Sequence, residues 1–261
     1  MSHPDYFRYW GKARPQDEQG PGFHLLPYHC LDVAAVAVVW WSSCPNLHRQ
    51  FAALIDYDID ERRLRAWVLF FVAMHDLGKF DVRFQMKASE PLTALQPEWD
   101  TEELPDRGEV ERYAHGEHGL RWFVGEYPEL LGIGSKSEEI LDAWMPWLAA
   151  VAGHHGKIPR HREPARRPDA EDRVVEHDRG ARREWFRALE ELFLKPSGLS
   201  LADQPPSMHR DNAAYLAGFC AICDWLGSNE TWFKYRADVI DDLEAYLCDR
   251  VARIGRERLI E

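Results

Sequence analysis

Leu64 to Lys79 reads LRAWVLFFVAMHDLGK. The run from Leu64 to Ala73 is almost wholly apolar and long enough for a buried helix. It ends on a His75-Asp76 doublet, followed by Gly78 and Lys79. A carboxylate buried beside such a helix is costly unless it is paired or bound to a metal, so the doublet marks a candidate site. The pattern predicts a helix over Asp60–Leu77, with Asp60 as its N-cap and Gly78 as its stop.

Further helical patterns flank this one. Tyr28–Ser43 is apolar over most of its surface, as a central helix is. Phe80–Ala88 reads as a continuation after a kink, and 89–113, with Pro, Gly and many acids, as a long loop. His115–Glu126, Ser137–His155, Gly180–Leu194, Met208–Leu226 and Thr231–Ile254 read as helices. The charged stretch 157–180 reads as a loop, as does 195–207. No strand-like alternation of any length and no internal repeat occur. The expected fold is all-α, a compact helical bundle in a single domain.

Composition sets bounds. Of 261 residues 45% are hydrophobic, including 11 Trp and 12 Phe, enough for a large core. The net charge of −12 argues against coating nucleic acid by bulk charge. There is no GxxxxGK[ST] loop, hence no P-loop ATPase in this stretch. Five cysteines, with no apolar N-terminal leader, suggest a reducing compartment and a cytoplasmic protein with no membrane partner. Cys220 and Cys223 have CxxC spacing without a second pair, and read as small core residues rather than a zinc knuckle.

The other histidines and acids decide the chemistry. His29 opens the first helix, where a histidine is often structural. Asp32, one turn on, either accepts a bond from that imidazole or is an ordinary first-turn acid. His115 and His118 share one segment, and spacing cannot choose between them. His154-His155 lie between Gly153 and Gly156, and adjacent imidazoles at an apolar helix end suit a metal. Asp224 ends an apolar run and needs a partner. Ser228, one turn later, is either a cap or a phosphate contact. Lys79 either pairs with Asp76 or holds a phosphate. Mixed imidazole and carboxylate donors suit Mn, Fe, Co, Ni or Zn rather than Mg or Ca alone. A shared carboxylate would set two ions roughly 3.5–4 Å apart. Lys157, Arg160, Arg162, Arg166 and Arg167 either track a DNA backbone or form a solvated loop.

The order His29, His75-Asp76, His154-His155, Asp224 resembles the HD phosphohydrolase superfamily. The wording around it, His29-Cys-Leu-Asp-Val-Ala-Ala-Val-Ala, His75-Asp-Leu-Gly-Lys-Phe, Ala-Gly-His154-His-Gly and Asp224-Trp-Leu-Gly-Ser-Asn, is similar to the HD nuclease domain of the CRISPR-associated Cas3 family over about residues 20–236. The resemblance implies a metal-dependent nuclease that degrades single-stranded DNA, with two divalent transition-metal ions (Mn, Fe, Co, Ni or Zn, with Mg possible in assay) activating water. It implies as partners a Cas3 superfamily 2 helicase module, fused or separate, and the Cascade surveillance complex. His29, His75, Asp76 and Asp224 would hold one ion, and Asp76 would bridge to a second held by His115, His154 and His155. His115 is chosen over His118 because the family has a histidine four residues before a small residue, here Gly119. Lys79 and Ser228 match family positions near the scissile phosphate. The expected organisation is a leading segment at 1–22, the nuclease domain at 23–236, and a C-terminal helix at 237–261 leading toward a helicase. The alternatives are a phosphohydrolase acting on nucleotides or cyclic dinucleotides, though the Gly-Tyr-Pro signature of the latter is absent, and a non-catalytic module of the same fold.

Overall fold

The computed structural model describes residues 3–14, 20–55, 59–240 and 242–257. A short antiparallel pair, β1 (Trp10–Ala13) and β2 (Phe23–Leu25), leads into α1 (Leu26–Ser43) and α2 (Pro45–Ala52). Then come α3 (Glu61–Ala73), α4 (Val82–Gln85), α5 (Ser89–Leu95), α6 (Arg107–Arg112), α7 (His115–Leu130) and α8 (Glu138–Ala152). The chain continues with α9 (Asp172–Leu189), α10 (Ala213–Gly227) and α11 (Leu243–Glu257). Among the described residues the fold is thus a helical bundle with one small two-stranded sheet. Among the described residues no single helix is long and apolar enough to cross a membrane.

α1 is the axis, as its all-round apolar pattern requires: Leu26 to Ala37 are all buried, and α3, α10 and α11 pack around it. A block of aromatic rings joins α3, α7, α8 and α9. Trp67 meets Trp144 edge-on at 5.6 Å between ring centres, Phe71 stacks on Trp147 at 5.1 Å, Phe123 stacks on Trp144 at 5.6 Å, and Phe70 meets Phe186 at 6.2 Å. Such pairs add about 0.5–1.5 kcal/mol each beyond area burial. The block fixes the helix ends from which the site is built: the C-termini of α3 and α8 and the N-terminus of α7.

Several sequence expectations need correction. Asp60 does cap α3, accepting from the backbone N–H of Arg63, but the helix stops at Ala73, not Leu77. Gly78 does not end it by a left-handed turn. Its backbone lies against α7 so closely that a Cβ there would sit 1.9 Å from the His115 carbonyl oxygen and 2.8 Å from Gly119 N. The chain leaves α3 early to make that approach, and His75-Asp76 sit in the turn between.

The loop expected at 89–113 contains α5 and α6. Within the leading segment, Tyr6, Phe7, Tyr9 and Trp10 are buried, while Pro15–Gln19 lie outside the described residues. α7 runs on to Leu130, past the expected end at Glu126. α8 begins as expected, with Ser137 Oγ accepting from Ile140 N, but ends at Ala152, short of the two histidines. The loop expected at 157–180 gives way to α9 at Asp172, and α10 begins at Ala213 rather than Met208. The final helix starts at Leu243, not Thr231; of its expected C-terminal span, Asp241 and residues 258–261 lie outside the described residues. Cys220 and Cys223 are buried and free, as core residues.

A buried polar network pins the chain just after the His-Asp turn. Arg182 on α9, fully buried, donates to both oxygens of Glu126 (2.8 and 2.7 Å) and to the Phe80 carbonyl (2.5 Å). Asp81 accepts from Arg83 and from Trp122 Nε1. Asp178 accepts from Val82 N at 2.8 Å and meets the Tyr9 hydroxyl at 2.7 Å. Burial, then the neighbouring Asp81, push the Asp178 carboxyl up to about 8.

This shift makes stability depend on pH. The folded value lies above the unfolded one, so between about pH 4 and 8 the folded state holds the extra proton. Stability therefore falls as pH rises through that window. Asp178→Asn removes the charge and keeps an acceptor for Val82, while its amide N–H would donate to the Tyr9 oxygen in place of the carboxylate oxygen that accepts from it. Its melting temperature, measured against wild type by circular dichroism, should gain several degrees on going from pH 5 to 8. A difference that does not change with pH would count against this assignment.

Candidate metal centre

Asp76 is the middle of the site. Its Oδ2 lies 3.0 Å from His29 Nε2 and 3.3 Å from His75 Nε2, and its Oδ1 lies 3.2 Å from His115 Nε2 and 3.9 Å from His154 Nε2. Asp224 joins the first side, with Oδ1 at 3.4 Å from His29 Nε2 and 3.8 Å from His75 Nε2. His155 joins the second, its Nε2 at 3.0 Å from that of His115. Two donor clusters result. His29, His75 and Asp224 can surround one point, and His115, His154 and His155 another; Asp76 groups with His75 and His154 between them.

Each donor has a local reason for its position. His29 comes from the first turns of α1, and Asp224 from the last turn of α10. Gly227 lets these helices meet, since a Cβ there would sit 2.9 Å from Val33 Cα. His75 and His154 follow the ends of α3 and α8 in the same way. Each gives its Nδ1–H to the carbonyl three residues back, Val72 at 2.9 Å and Val151 at 2.6 Å. A carbonyl can only accept, so the tautomer is fixed and Nε2 is left with its lone pair facing the centre. Gly153 permits the turn after α8, because a Cβ there would sit 2.8 Å from Ile158 Cα.

The electrostatics fit a metal. Burial and then the Lys12 ammonium push His29 down to about 4; burial and then His75 push His154 down to about 3. Both are neutral at neutral pH, the form that ligates. Burial alone would raise Asp76 and lower His75. Instead the Lys79 ammonium and His75 hold Asp76 well below the usual carboxylate range, while Asp76 draws His75 upward. Burial would likewise raise Asp224, but His29 and His75 hold it far down. His154 Nε2 and Asp76 Oδ1 are buried without a well-formed hydrogen bond, although both face the same small space. Buried polar atoms in that condition call for an occupant. Imidazole and carboxylate donors at these separations suit a transition-metal ion.

The remaining candidates sort as follows. Lys79 Nζ donates to Asp76 Oδ2 (2.7 Å) and the Gly11 carbonyl (2.9 Å), so its charge is already engaged. Ser228 Oγ donates to Asp224 Oδ1 at 2.9 Å. His118 faces away: its Nδ1 bonds the Ala114 carbonyl and its ring lies on Tyr113. Asp32 takes neither expected role. It accepts from Tyr246 at 2.9 Å, lies 2.9 Å from His24 Nε2 and 3.2 Å from Arg250 Nε, and so ties α1 to α11. In the basic loop, Arg162 pairs with Asp142 and Arg167 with Asp172, which reduces its positive field. Sequence reading missed Lys12, whose Nζ lies 3.9 Å from Asp224 Oδ1; nothing in a Trp-Gly-Lys tripeptide signals a site.

The chain matches the family model described as Cas3, HD domain, over residues 10–233. It is similar to the CRISPR-associated endonuclease/helicase Cas3 of Escherichia coli (strain K12), 38% identical over 257 residues, covering 93% of this chain and 28% of that relative. Among solved structures it is similar in fold to the Thermus thermophilus Cas3 HD domain crystallised in the presence of Ni2+ (24% identity, TM-score 0.54, covering 97% of this chain and 90% of that one). It is also similar in fold to a chain of a CRISPR RNA-guided surveillance complex in a pre-nicking state (22% identity, TM-score 0.67, covering 96% and 28%).

Proposed function

Because the chain belongs to the Cas3 HD-domain family, we propose that it is a metal-dependent nuclease hydrolysing phosphodiester bonds of single-stranded DNA in CRISPR interference. The observation that carries this is Asp76, whose two oxygens face separate histidine clusters. A single carboxylate so placed can be shared by two ions. His29, His75 and Asp224 would complete one ion's donors, and His115, His154 and His155 the other's. Bound there, two divalent ions would supply an activated water and neutralise charge on the phosphate.

The chain's own residues have distinct duties. Lys79 holds Asp76 charged and oriented from below, and Ser228 orients Asp224. The Val72 and Val151 carbonyls fix His75 and His154 as donors. The open side of the centre, where His155 is exposed, is where the strand enters. The chain spans 28% of the length of the E. coli relative. A Cas3 helicase module, fused or separate, and a Cascade-type surveillance complex are therefore its proposed partners.

A substrate panel tests the reading. Circular single-stranded DNA should be cut in Mn2+, Co2+, Ni2+ or Mg2+, whereas deoxynucleoside triphosphates and cyclic dinucleotides should survive. Turnover of the small nucleotides in preference to DNA would favour the alternative phosphohydrolase. The two neighbouring histidines should separate cleanly: His115→Ala loses one ion and about 100-fold or more in rate, while His118→Ala stays within about twofold of wild type. Metal analysis and rate on the same preparations check this.

A further inference from the structure

β1 brings a second ammonium to the centre. Gly11 lies so close to α1 that a Cβ would sit 3.0 Å from both His29 Cβ and Leu26 Cα, and the register between β1 and β2 is irregular between Trp10 and Lys12. The strand therefore crosses the edge of the site, with Lys12 beside Asp224. The two lysines there differ in exposure. The Lys79 side chain is 7% exposed, and its ammonium already donates to Asp76 and the Gly11 carbonyl. The Lys12 side chain is 29% exposed, and its Nζ stays 3.9 Å from Asp224 Oδ1, beyond hydrogen-bond distance. Among the described residues it is the lysine whose charge reaches the centre from the solvent side.

An ion held by His29, His75 and Asp224 would neutralise Asp224 and repel Lys12. The ammonium would then need a new anion on the same side, and the incoming phosphodiester supplies one. The chain as a whole is strongly acidic, so a local cation at the point of reaction matters more than it would on a basic protein.

We propose that Lys12 is a substrate-contacting residue, its ammonium donating to a non-bridging oxygen of the phosphodiester at the metal centre. No proton is transferred; the hydrogen bond and charge oppose the negative charge that grows on that oxygen. The proposal rests on the nuclease reading above.

The test compares wild type, Lys12→Ala and Lys12→Arg by rate on single-stranded DNA over a range of salt, with ion content and melting temperature on the same samples. Lys12→Ala should lower kcat/KM about 100-fold, the usual scale for losing one donor to a developing oxyanion. The slope of log kcat/KM against log salt should become shallower by about 0.7, one phosphate contact fewer. Ion content should stay at the wild-type value, and Lys12→Arg should recover part of the rate. Lys12→Ala with unchanged kcat/KM and salt slope overturns the proposal. So does a rate loss accompanied by a matching loss of ions or melting temperature, since Lys12 would then serve only Asp224. A wild-type chain that cuts no DNA overturns the nuclease reading and this proposal with it.

Discussion

Asp76→Asn should lower the rate of single-stranded DNA cleavage by about 1,000-fold or more, equivalent to ~4 kcal/mol of transition-state stabilisation, with helical content unchanged. The substitution keeps the shape of the side chain and removes the charge that both histidine clusters face at 3.0–3.9 Å. Asparagine still accepts from Lys79, so the buried ammonium keeps a partner. Asp76→Ala would be a poorer probe, because it strands Lys79 in the interior and mixes a folding defect with a catalytic one. Circular dichroism, ion content and rate on one preparation distinguish the two. Near-wild-type activity in Asp76→Asn would rule out a bridging role.

The second large effect is on the backbone. Gly78→Ala adds one methyl group where there is no room: the nearest atoms are the His115 carbonyl and Gly119 N, both main chain. Side chains can rotate out of the way, but an α7 backbone held by the aromatic block cannot. The cost should be ~3 kcal/mol or more, a fall in melting temperature of roughly 6–12 °C for a domain of this size. Because the displaced residue is His115, the ion on its side should be lost before the fold is. Thermal denaturation with metal analysis checks both parts, and a variant that melts with wild type would show that α7 can shift freely.

The helical class was legible because α1, α3, α8 and α10 carry long apolar runs whose lengths suit only helices. The conjunction of histidines and aspartates was legible because His29, His75, Asp76, His154, His155 and Asp224 each stand at the end or start of such a run, whereas His115 opens the mixed-polarity α7. What was not legible has a common cause. On α9 the buried face is Val174, Asp178, Ala181, Arg182, Trp185, Phe186 and Leu189. Two of those positions, Asp178 and Arg182, are polar and ionisable, so the apolar period is broken where the buried network of Tyr9, Glu126, the Val82 N–H and the Phe80 carbonyl gives them partners. The buried aromatics Tyr6, Phe7, Tyr9 and Trp10 were hidden by the Gly- and Pro-rich sequence after them, and with them β1 and Lys12. Asp32 read either as a partner of His29 or as an ordinary first-turn acid, yet its partners His24, Tyr246 and Arg250 include two more than 200 residues away. Such pairings are decided by tertiary packing and leave no local trace.

The proposal of His115 rather than His118 as a metal donor draws on both kinds of information. A family resemblance favoured His115. The geometry supports it, since His118 spends its Nδ1–H on the Ala114 carbonyl and its ring lies tilted against Tyr113, whereas the first residue of α7 reaches Asp76.

The most direct measurement is a back-titration. Protein stripped of metal by chelation is given Mn2+ in steps from zero to several equivalents, and cleavage of circular single-stranded DNA is followed together with bound ion. With two ions acting across Asp76, activity should stay low through the first equivalent, rise with the second, and be accompanied by two bound ions per chain. Full activity at one equivalent, or any substantial cleavage by the stripped protein, would contradict the two-ion centre.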